Sequence, residues 1–91
     1  MGFKAMAKCR RSAAEQRYIW DMMQIWNKLP MDRKESVRRL IAEIARTPEE
    51  GRSLFDVAVR CATPQSVSLR IGLPIRRVYE LRKEFYERFV L

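Results

Sequence analysis

Arg76 and Arg77 lie just beyond Pro74, and Tyr79, Glu80, Arg82 and Lys83 fall within the next two turns of any helix that Pro74 opens. A guanidinium is a planar fork of fixed donors, suited to paired acceptors on a phosphate, a carboxylate or a base edge. Glu80 accepts where the arginines donate, and Lys83 adds a point charge. Upstream, Gln65 and Ser66 occupy the opening turn of a second short helix, where they either contact an anion or simply cap the helix. This is the chemistry of recognition. The residues of turnover are missing from the sequence: there is no histidine, no glycine-rich phosphate cradle and no clustered acid pair. Glu49-Glu50 is the acidic first turn of a helix, and Cys9 and Cys61 have no neighbours at metal-ligand spacing. No enzymatic activity, metal or cofactor is expected.

The elements that must position these residues are set off by Pro and Gly. No stretch alternates with the period of a strand, so the fold class expected is all-α, a single domain of five helices. The first helix begins at Ser12, where S-A-A-E is a capping box, and presents Tyr18, Ile19, Met22, Ile25 and Trp26 on one face before ending ahead of Pro30. The second begins with a capping pattern at Asp32 and turns Val37, Leu40, Ile41 and Ile44 inward. Thr47-Pro48-Glu49-Glu50 opens the third, with Leu54, Phe55, Ala58 and Cys61 inward and Gly51 weakening its first turn. Thr63-Pro64 opens a short fourth helix ending at Gly72. Pro74 opens the fifth, with Val78, Leu81, Phe85 and Phe89 inward.

Residues 63–81, T-P-Q-S-V-S-L-R-I-G-L-P-I-R-R-V-Y-E-L, have a more specific pattern. Val67 and Ile71 share a helix face, Gly72 can take the positive φ of a sharp turn, Leu73 plugs that turn, and Val78 and Leu81 anchor the fifth helix against the fourth. Residues 64–83 resemble the helix-turn-helix of DNA-binding regulators, and with residues 48–61 in front they resemble a tri-helical domain of that superfamily. Ser68 stands where alanine or glycine is commoner, at the closest approach of the two helices. The resemblance implies that the helix after Pro74 enters the major groove of double-stranded DNA. Arg76, Arg77, Tyr79, Glu80 and Lys83 then lie on or near its outer face, with Arg76 and Arg77 placed to grip guanine O6 and N7 and Glu80 to accept from cytosine. Lys83 and Arg82 reach phosphate, as do Gln65 and Ser66. The alternatives are a solvated face for the arginines, plain capping for Gln65 and Ser66, and partial burial for Tyr79.

Composition agrees with a charged partner. The 91 residues carry a net charge of +8 with 47% hydrophobic residues, so a folded body bears a basic surface and nucleic acid is the first partner to consider. Lys4, Lys8, Arg10 and Arg11 make residues 1–11 a basic arm without apolar periodicity, expected to be flexible and able to follow a backbone or enter a minor groove. Met6 offers an alternative start. Residues 12–91 form the helical domain, with 12–46 a packing or dimerisation region and 48–91 the tri-helical region. Trp20 and Met23 broaden the apolar surface of the first helix, which suggests a homodimer presenting two recognition helices. With no apolar run long enough for a signal peptide or membrane span, a cytoplasmic transcriptional regulator is expected. The competing expectation is a protein–protein interaction module in which the same scaffold binds a partner through the first helix and the aromatic C-terminus.

Overall fold

The computed structural model describes residues 3–91, and among them every regular element is a helix and no strand occurs. Five α-helices succeed one another: α1 (Ala13–Gln24), α2 (Met31–Ile44), α3 (Pro48–Ala58), α4 (Pro64–Ile71) and α5 (Ile75–Arg88), with a short 3-10 turn at Trp26–Lys28 between the first two. No described helix is long and apolar enough to cross a membrane.

Local chemistry accounts for most boundaries. The Ser12 hydroxyl accepts from Glu15 N at 3.2 Å while the Glu15 carboxylate accepts from Ser12 N at 3.0 Å, which satisfies two otherwise orphaned amides of α1. Thr47 and Thr63 cap α3 and α4 through the hydroxyl alone, accepting from Glu50 N and Ser66 N, and each is succeeded by a proline whose missing N–H would have had no helical partner. The second helix differs from expectation. It is entered through the extended Pro30, and Asp32 sits inside it, accepting from Arg33 N at 2.9 Å instead of capping. Gly51 lies within an intact α3.

α5 is the central element. Its buried face, Leu81, Phe85 and Tyr86 with Phe89 beyond its end, packs into one core with Ile19, Met22 and Met23 of α1, Val37, Ile41 and Ile44 of α2, and Leu54 and Ala58 of α3. A smaller cluster of Val57, Val67 and Val78 joins α3, α4 and α5, with Ile71 and Leu73 against it. The inward residues expected of α5 are all buried, and those of α2 are too except Leu40, which is half-buried against the core. Those of α3 are buried in part, since Phe55 and Cys61 are only half-buried and Cys61 adopts a positive φ of 57°.

The face of α1 is rotated from the one expected. Gln16, Ile19, Met22 and Met23 are buried, whereas Tyr18 and Ile25 are about half exposed. The cause is Gln16, a polar residue accepted inside because its amide is fully used. Its Oε1 accepts from Met6 N at 2.7 Å, and its Nε2 donates to the carbonyls of Met6 and Arg11 at 3.3 and 3.0 Å. Met23, one basis for expecting a dimer through α1, is buried within this chain, and Trp20 is half-buried with its ring centroid 5.9 Å from that of Phe3.

Residues 3–11 contain no helix and lie along the bundle. Met6 and Cys9 pack against the core, Arg10 N donates to Glu87 Oε2 at 2.9 Å, and the Arg11 guanidinium donates to the carbonyls of Tyr86 and Phe89. Those carbonyls close α5, where free C=O groups and the negative end of the helix dipole favour a cation. The Lys4, Lys8 and Arg10 side chains remain exposed. Cys9 and Cys61 are free thiols.

Candidate nucleic-acid interface

Three residues, Gly72-Leu73-Pro74, connect α4 to α5. Gly72 has φ 87° and ψ 21°, a left-handed conformation that costs an L side chain about 1–2 kcal/mol, and its N–H donates to Ser68 O at 2.9 Å. Ser68 does more than stay small: its hydroxyl donates to Leu73 O at 2.6 Å and ties the turn shut. Pro74 then leads into α5 in an extended conformation, and its carbonyl accepts from Arg77 N and Val78 N. Val67 and Val78, both fully buried against Val57, fix the two helices on each other.

With Val78, Leu81 and Phe85 inward, a helical step of about 100° per residue sets Arg76, Glu80, Lys83 and Glu87 in one outward row. Arg76 is exposed, and among the described residues its side chain makes no hydrogen bond or ion pair; Lys83 is half-buried and likewise unpaired. The first turn of α5 holds no acid of its own beside Arg76. On the edge nearest α4, Tyr79 is 40% exposed and accepts from Gln65 Nε2 at 3.2 Å, which links the outer surfaces of the two helices. The Arg82 guanidinium lies 5.2 Å from the centre of the Tyr79 ring, with its Nε buried and unpartnered. Ser66 serves the cap, donating its hydroxyl to Thr63 O at 3.0 Å.

Arg77 is engaged elsewhere. It flanks the buried side of α5, and its Nε and Nη2 both donate at 2.9 Å to the two carboxylate oxygens of Glu50 on α3, with a weaker contact from Nη1 to Glu80 at 3.4 Å. The Arg77 fork holds the Glu50 carboxyl well below the usual range, at about 2, helped by the backbone N–H of Arg46, which donates at 3.0 Å. The same pair holds the Arg77 proton more firmly still. Arg76, Gln65, Tyr79, Glu80 and Lys83 are therefore gathered on one surface around the start of α5, while Arg77 is turned toward α3 and Arg82 lies on the flank.

Two residues, Glu50 at this site and Gln16 in the core, have roles that the expectations from sequence do not include. Glu50 reads there only as a helix-start acid; it is the third residue of α3, and nothing local says that its carboxylate also reaches α5. Gln16 carries a signal, standing three residues before Ile19 and seven before Met23 at an inward spacing. No family model, curated protein or solved structure matches the chain.

Proposed function

We propose that this chain is a small sequence-specific DNA-binding protein, a transcriptional regulator that reads the major groove with α5 through a helix-turn-helix formed by α4, the Gly72 turn and α5. The observation that carries the reading is Arg76: exposed, unpaired and in the first turn of a helix whose orientation a left-handed glycine and a buried valine pair hold fixed. A recognition helix contacts base edges with its N-terminal residues, and an unpaired arginine there is free to take guanine O6 and N7. Glu80 and Lys83 extend the row, Gln65 and Tyr79 form its edge toward α4, and the exposed Lys4 and Lys8 supply further phosphate contacts. Arg77 acts through its position, since its donors are taken by Glu50. A homodimer would supply two half-sites; the exposed Tyr18 of α1 and Ile25 just beyond its end are its available surface, in place of Met23.

Selection from a randomised duplex library, with a salt titration of the enriched site, tests the proposal. Enrichment of a defined motif is expected, with affinity falling steeply as salt rises. Arg76→Ala should lose about 1–3 kcal/mol of discrimination at one base position while the fold is retained. Absence of any enriched motif refutes sequence-specific reading. The alternative is a protein-interaction module, favoured by the same exposed Tyr18 and Ile25; it predicts that Arg76→Ala leaves the partner complex intact.

A further inference from the structure

A second basic surface lies away from the start of α5. Between the 3-10 turn, the middle of α2 and the end of α3 runs an open cleft of about 720 Å³, walled by Met23, Trp26 and Phe55 and rimmed by Lys28, Arg38 and Arg60. No carboxylate lines it, and among the described residues none of the three cations makes an ion pair. Phe55 is five residues beyond Glu50, which puts the two about 140° apart around α3 and turns the cleft away from the first turn of α5.

Three cations gathered without an acid repel one another and are stabilised by an anionic occupant. The walls require an apolar component as well, since Trp26 and Phe55, in edge contact with centroids 5.6 Å apart, remain partly exposed. The arrangement of the rings decides between occupants. The Arg38 guanidinium lies 5.4 Å from the centre of the Trp26 ring and that of Arg60 lies 5.8 Å from the centre of Phe55. A stacked nucleobase would compete with those guanidiniums for the ring faces. A carboxylate would instead bridge to guanidiniums that the rings already hold in place. Trp, Arg, Met and Phe are also the residue types that concentrate at protein interfaces.

We infer that this cleft docks an acidic segment of a partner protein, with carboxylates on Lys28, Arg38 and Arg60 and an apolar side chain against Trp26 and Phe55. The inference is independent of DNA reading by α5. Its test is an NMR titration of the intact chain, monitoring the Trp26 indole N–H, with a synthetic peptide of alternating Asp/Glu and Leu/Phe and with a single-stranded oligothymidine of equal charge. The peptide is expected to bind and to shift Trp26 selectively. Arg38→Glu and Arg60→Glu, both exposed and so compatible with folding, should each weaken it by about ten-fold or more. Arg76→Ala should leave it unchanged. Failure of the peptide to shift Trp26, or binding indifferent to both reversals, overturns the inference. So does oligothymidine binding more tightly than the peptide at the same residues, which would assign the cleft to nucleic acid.

Discussion

Replacing Glu50 with Gln tests whether one ion pair fixes the start of α5. The carboxyl sits at about 2 against an ordinary 4.5, held down first by the Arg77 side chain and next by the Arg46 amide, with burial opposing both. A full shift of that size corresponds to about 3 kcal/mol. The pair lies near the surface, with side chains 21% and 11% exposed, so solvent screening reduces its contribution to about 1–2 kcal/mol. Because the folded value is depressed, this stability is fully present above pH 4.5 and is lost as pH falls through about 2. Glu50→Gln should therefore lower stability at neutral pH by about 1–2 kcal/mol, a drop in Tm of roughly 5–15 °C for a domain of this size. Urea unfolding monitored by circular dichroism at pH 7, 5 and 3 measures the effect. The gap between wild type and variant should stay constant from pH 7 to 5 and narrow toward pH 2. An unchanged gap across the acid range would refute the assignment, as would a variant as stable as wild type at pH 7.

The two helical-region glycines should respond oppositely to alanine. Gly72→Ala should destabilise by about 1 kcal/mol in thermal unfolding although its Cβ would meet nothing within 4 Å, because the cost is the left-handed φ itself. Gly51→Ala should stabilise by about 0.5–1 kcal/mol in the same assay, since an added Cβ would meet Ala45 Cβ at an ordinary 3.7 Å and alanine favours the helix. Equal effects of the two substitutions would contradict both.

How much of the fold is legible in the sequence depends on how far apart the interacting residues are. Ser12 with Glu15, Thr47 with Pro48 and Thr63 with Pro64 interact within one turn, so their spacing alone marks helix starts, as Gly72 marks a stop. Val78, Leu81 and Phe85 repeat on a face that any helix of that length would bury. The row Arg76, Glu80, Lys83 comes from the same periodicity.

Tertiary structure decided where side chains with a choice would go. Arg76 and Arg77 are indistinguishable as neighbours in sequence, yet a rotation of about 100° leaves the first in solvent and carries the second to Glu50, 27 residues away. Gln16 entered the core only because the backbone of Met6 and Arg11 folded over it, and that displaced Tyr18 and Ile25 outward. Arg38 and Arg60 became neighbours across one cleft because α2 and α3 pack side by side. The sequence by itself determined five helices, most of their caps, the Gly72 turn and the inward face of α5, because these depend on contacts between near neighbours and on period. Which charges are paired, which remain free and which surfaces stay open were decided only by the assembled chain, because each depends on partners that distance along the sequence conceals.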